Sequence, residues 1–177
     1  MAPRHSIRPL YRTLLLVGEG ETEQAFLQHV KALYVLRGSG LRVTVRCAHG
    51  KGAGHVVDYA IRQRIHQFDQ IAALLDTDTG WTPAVQKHAR EKRIQVLKSE
   101  PCFEAMLLRA IGQSANGSAK ELKAQFAPWV HGEALDQHNY ATHFDVEALQ
   151  AGRKIESTLD DLIGLLQNGN VRNRCGF

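Results

Sequence analysis

Long hydrophobic runs are missing from this chain of 177 residues. No apolar stretch approaches the roughly 20 residues that a membrane-spanning helix needs, and the run Leu14-Leu15-Leu16-Val17 is the size of a strand. The first residues carry Arg4, His5, Arg8 and Arg12 but no extended apolar region and no small-residue cleavage site, so the expectation is a cytoplasmic protein with no membrane partner. Cysteine is scarce: Cys47, Cys102 and Cys175 make an odd set with no C-x-x-C spacing. That excludes a disulfide framework and a zinc knuckle and agrees with a reducing compartment. Charge of one sign is nearly balanced, with 22 Lys and Arg against 18 Asp and Glu, a net of +4. Such a balance is compatible with phosphate-rich partners without demanding them. No repeat, low-complexity tract or linker divides the chain, whose length suits one well-packed core.

The apolar pattern alternates between two periods. Residues 14–17, bounded by Gly18, read as a strand buried on both faces, as parallel sheets require. Thr22 can cap a helix over 22–37, with Phe26, Val30, Leu33 and Leu36 at helical spacing. Residues 41–47 alternate as a second strand, and the turn Gly50-Lys51-Gly52-Ala53-Gly54 leads into a helix ending near Phe68. A third strand over 71–75 stops at Asp76, and Pro83 fits the first turn of a helix to Lys92. A fourth strand over 94–97 is followed by a helix opened by Pro101. Strand and helix alternating four times predict an α/β fold, a Rossmann-like parallel sheet of about four strands. Residues 1–10 read as a flexible lead-in, 11–111 as the α/β core and 112–177 as a helical extension packed on it. In that extension 118–126 and 145–167 have helical spacing, with Leu149, Ile155, Leu159, Leu162, Ile163 and Leu166 expected to pack; 152–166 reads as one amphipathic helix.

Ligands of open parallel sheets bind beyond the carboxyl ends of the strands, and there this sequence is acidic. Gly18-Glu19-Gly20-Glu21-Thr22-Glu23 follows the first strand, Asp76-Thr77-Asp78 the third, and Glu104 the fourth. Carboxylates at close range raise one another's pKa unless a cation neutralises them. Mg²⁺ does so with oxygen ligands, keeping waters and substrate phosphate in its shell. Glu21 by itself is adequately explained as an acid at a helix N-terminus.

A hydrophobic strand ending in Val17-Gly18-Glu19-Gly20-Glu21-Thr22-Glu23, followed later by strand-borne Asp76-x-Asp78, resembles the Toprim domain. Ser99-Glu100-Pro101-Cys102-Phe103-Glu104, leading into Ala105-Met106-Leu107-Leu108, is similar to the Ser-Asn-Pro-x-Phe-Glu motif of RloB-like proteins, and the glycine-rich turn before Val56-Val57 fits the same layout. The resemblance covers about residues 11–111. It implies Mg²⁺-dependent (or Mn²⁺-dependent) phosphodiester chemistry on DNA or RNA, in phage defence or nucleic-acid processing, beside a partner ATPase. It assigns Glu19, Asp76 and Asp78 as catalytic residues and Glu19, Glu23, Asp76, Asp78 and Glu104 as metal ligands or their supports. Glu100 stands where the family motif has Asn, which adds a negative charge beside Glu104. A topoisomerase or primase would need further domains for which there is no room.

Other candidates have plainer readings. Lys51 and Lys98 could help hold a phosphate, but Gly50-Lys51-Gly52 lacks P-loop spacing and Lys51 reads as a solvated lysine. His131, His138 and His143 fit no common zinc pattern. Cys102, between Pro101 and Phe103, reads as a small buried hydrophobe, and Trp81 and Trp129 as packing residues. Two further functions share the fold: a non-catalytic nucleic-acid-binding or regulatory subunit partnering an ATPase, and a doubly wound domain that handles a free nucleotide or a phosphorylated small molecule.

Overall fold

A computed structural model describes residues 11–130 and 135–168; the lead-in over 1–10, His131 and Cys175 lie outside the described residues. The elements run β1 (Arg12–Gly18), α1 (Glu21–Tyr34), β2 (Leu41–Cys47), α2 (Gly52–Arg62), β3 (Gln70–Asp76), α3 (Pro83–Glu91), β4 (Gln95–Ser99) and α4 (Phe103–Ala110). Beyond them come α5 (Ala119–Phe126), α6 (Val146–Gly152) and α7 (Ser157–Asn168). The four strands form one parallel sheet in the order β2-β1-β3-β4. This is the α/β architecture expected from the alternating pattern, with helices in the C-terminal part.

Successive strand residues point to opposite faces, and both faces are covered. Leu14, Leu16, Val43, Val45, Ala72, Leu74 and Leu97 pack on one side with α1, α4 and the C-terminal helices. Leu15, Val17, Ile71, Ala73 and Leu75 face α2 and α3. Central strands β1 and β3 are therefore almost continuously buried, whereas edge strand β2 alternates. On the larger face Phe26 is the hub of an aromatic cluster, with ring centroids 5.4 Å from Phe103, 5.4 Å from Tyr140 and 5.9 Å from Phe144. The opposite edge strand, β4, is tied down where Thr158 Oγ1 donates to the Lys98 carbonyl at 2.7 Å.

Several boundaries differ from expectation, among them the end of α2, at Arg62 instead of near Phe68, and β4, at Gln95–Ser99 instead of 94–97. Helix α1 is capped by Gly20 instead of Thr22, because the Glu23 carboxylate reaches back to the Gly20 N–H at 3.0 Å. It ends at Tyr34, leaving Leu36 71% exposed. Pro101 stands before α4, whose cap is Cys102, so Glu104 is the second helical residue; the Pro101 carbonyl accepts from the Thr77 and Asp78 N–H groups instead. The expected helix over 152–166 is broken. Gly152, a poor helix former, ends α6, and Ile155 in the following turn is 61% exposed. Glu156 in that turn pairs with Arg109 of α4, which fixes the break against the core. Leu149, Leu159, Leu162, Ile163 and Leu166 are buried as expected.

Candidate functional site

The chain leaves β1 toward β2 on one side and β3 toward β4 on the other. Between the carboxyl ends of β1 and β3 the connections diverge, the place where open α/β sheets form a crevice. Glu19 follows β1 directly and Asp76 is the last residue of β3. The pair is joined by the Asp76 N–H donating to Glu19 Oε2 at 3.2 Å. Glu23 and Glu104, in the first turns of α1 and α4, complete the wall. Gly18 is required by closeness: a Cβ there would lie 2.9 Å from the Gln24 nitrogen and 3.0 Å from the Glu23 Cβ. The absent side chain lets α1 start against β1 and brings Glu23 behind Glu19.

The electrostatics are those of carboxylates crowded out of water. Burial, and then the charges of Glu23, Glu19, Glu104 and Asp78, push the Asp76 carboxyl up to about 8. Burial also raises Glu23; its own backbone and that of Gly20 oppose the shift, and Glu104 and Glu19 add to it. Two buried oxygens, Asp76 Oδ1 and Glu104 Oε2, have no hydrogen-bond partner. Orphaned buried acceptors are costly, and hard cations take oxygen ligands of this kind. Asp76, Glu19 and Glu104 supply carboxylate oxygens of the donor type such a cation takes, with the Glu23 charge close to them. Asp78 is exposed at the rim, near enough to raise Asp76. Among the described residues no three His, Cys, Asp or Glu side chains are already drawn together tightly enough to hold an ion.

The Asp76-Thr77-Asp78 turn is held from the β4–α4 connection. The Thr77 N–H donates to the Ser99 and Pro101 carbonyls at 3.1 and 3.2 Å, the Asp78 N–H donates to Pro101 at 3.1 Å, and the Thr77 hydroxyl donates to Ser99 at 3.2 Å. Thus the Ser99-x-Pro101 segment is a brace for the aspartate turn. Tyr140 was not among the sequence candidates. Its hydroxyl donates to the Thr22 carbonyl at 3.3 Å, and burial beside Glu23 and Glu104 raises its pKa so that it stays protonated. No local pattern could have found it, since its partner is 118 residues away.

The remaining candidates separate clearly. Lys98 pairs with Glu100 at 3.4 Å, so the charge that replaces the motif asparagine is answered by that lysine. Lys51 is exposed at φ 78°, on a loop fastened beside the site by the Gly50 N–H donating to the Glu19 carbonyl at 2.8 Å. Cys102 is buried, its thiol pushed up to about 11 mainly by that burial, which suits a packing residue. His138 bonds Asp136 and His143 stacks edge-on against Trp129. Trp81 and Trp129 pack against the two cores.

No protein-family model matches this chain, and no curated protein or solved structure matches it at a significant level. The described residues define an α/β domain with an acidic crevice at the switch point of its sheet; none of their helices is long and apolar enough to cross a membrane.

Proposed function

We propose that this domain hydrolyses phosphodiester bonds of DNA or RNA with Mg²⁺, or Mn²⁺ in its place, held by Glu19, Asp76, Asp78 and Glu104 with Glu23 in support. The observation that carries the reading is the pair of orphaned buried oxygens on Asp76 and Glu104, inside a wall of acids that raises Asp76 to about 8. An ion bound there would offset the phosphate's developing charge and lower the pKa of an attacking water. The protein's part is positional. The Asp76 N–H fixes one Glu19 oxygen, leaving the other to accept the water's proton as its oxygen bonds to phosphorus and the ester oxygen departs. Glu23, anchored on Gly20, supplies charge and holds the turn. The braced 76–78 turn keeps both aspartates at fixed separation. Work in phage defence beside a partner ATPase belongs to the same proposal and rests on the motif resemblance.

Cleavage of mixed nucleic acids in Mg²⁺, Mn²⁺ or EDTA, together with thermal melts, tests this. The wild type should cut in either metal and not in EDTA, and millimolar Mg²⁺ should raise its Tm, since the ion binds the folded chain and scarcely the unfolded one. Asp78→Asn should abolish cleavage and the Mg²⁺ response. Its metal-free Tm should be equal or slightly higher, because the Asp78 side chain caps nothing among the described residues and carries a repelling charge. A wild-type Tm indifferent to Mg²⁺ would count decisively against the metal site. A clear Mg²⁺ response with nucleic-acid binding but no cleavage would establish the non-catalytic subunit instead.

A further inference from the structure

Beside the acidic crevice, on the outer face of α1, lies a cavity of about 520 Å³ with a different chemistry. Its wall holds three carboxamides, Gln24 and Gln28 from α1 and Gln137 from the segment opposite. All three are half-buried, and none has a side-chain hydrogen-bond partner among the described residues. Each offers two donors and an acceptor in one plane, so together they line one space with groups able to donate and accept. Among the described residues no lysine or arginine lines this cavity, while Glu21 and Asp136 do. That charge repels phosphate and admits a neutral ligand rich in donors and acceptors. His138 also lines the cavity, its Nδ1 2.8 Å from Asp136 Oδ1, and offers an exposed imidazole ring there.

We propose that this cavity receives an unpaired nucleobase of the strand being cut, read by Gln24, Gln28 and Gln137 and covered by the His138 ring. Carboxamides pair with base edges in two-bond fashion, and unstacked bases rest on aromatic or imidazole planes. A base within a duplex has its pairing edge engaged and both faces stacked, so it enters such a pocket only when single-stranded or flipped out. The placement suits one strand serving both sites. At a rise of about 1.5 Å per residue, Gln24 and Gln28 lie about 6 and 12 Å along the helix from Gly20. Glu23, on the buried side of the same helix, faces the carboxylates. The protein is thereby a reader of single-stranded or locally opened nucleic acid, an inference that rests on the nuclease reading for its substrate.

Two measurements test it independently of one another. Free, uncharged nucleosides titrated into the metal-free protein in EDTA should shift the Gln24, Gln28 and Gln137 side-chain amide resonances by NMR. Those of a Gln24→Ala/Gln28→Ala variant, with Gln137 as reporter, should not move. In Mg²⁺ the wild type should cut single-stranded oligonucleotides with higher kcat/KM than their duplexes. The double variant should lose at least about tenfold on the single strand, chiefly in KM, while its Mg²⁺-induced rise in Tm stays as in the wild type. Amide resonances indifferent to every nucleoside, or an unchanged single-strand kcat/KM in the variant, overturns the proposal while leaving a working nuclease in place. A wild type without cleavage or Mg²⁺ response overturns the nuclease reading, and the nucleoside titration still decides the cavity.

Discussion

Asp76 is an acid that the fold prefers to keep protonated. Its ordinary pKa of 3.8 rises to about 8 in the metal-free protein, first through burial. Between those values the folded chain holds a proton that the unfolded chain has released. Stability from this group is therefore greatest below about pH 4, falls as pH rises to about 8, and then levels. Glu23, also raised, acts in the same direction, whereas Asp69, lowered first by the Thr13 backbone N–H, loses its contribution as pH falls. The comparison that isolates Asp76 is with Asp76→Asn. Metal-free melts from pH 4 to pH 8 should show the variant gaining on the wild type as pH rises; a constant difference would mean that Asp76 is not proton-bound in the fold. The acids at issue were legible in the sequence because Glu19 and Asp76 end apolar runs, which puts them at strand ends whatever the packing. Tyr140 and the carboxamide cavity were not, because they exist only where α1 meets residues more than 100 positions away. The pairing of Lys98 with Glu100, two residues on, was legible from their spacing in an exposed strand end.

Among the elements, strands were easier to read than helix ends. Residues 41–47 matched β2 because an edge strand shows its alternation openly. The starts of α1 and α4 were displaced because hydrogen bonds decide them: the Glu23 carboxylate, from within α1, takes the Gly20 N–H, and the aspartate turn takes the Pro101 carbonyl. The break after α6 has a packing cause as well as Gly152's low propensity. A Cβ at Gly152 would lie 2.7 Å from the Ala110 carbonyl oxygen and 3.0 Å from the Ala110 Cβ, so α6 touches the end of α4 backbone to backbone. Gly152→Ala should cost about 1–3 kcal/mol through overpacking, despite alanine's better helix propensity. Urea melts should show a lower midpoint at unchanged slope. A stabilised variant would mean that the two helices are free to separate.

Across the whole molecule the two layers on the sheet are unequal. The side carrying α1, α4 and the C-terminal helices holds the larger core and the aromatic cluster, whereas α3 contributes Ala89 alone as a buried residue. Helices with few buried apolar groups open at low free energy. Native-state hydrogen exchange should therefore find α3 the least protected of α1 to α4, opening without the sheet; protection equal to that of α1 would contradict this. The aromatic hub has a different bearing. Phe26 begins its contacts at the helix that carries Glu23 and ends them at Tyr140 and Phe144, while Tyr140 in turn holds the Thr22 carbonyl. The motif-bearing stretch over 11–111 is consequently no interchangeable cassette. Transplanted alone into another protein it would carry an open aromatic wound beneath its acidic crevice, so the crevice and the residues beyond 140 must be inherited together.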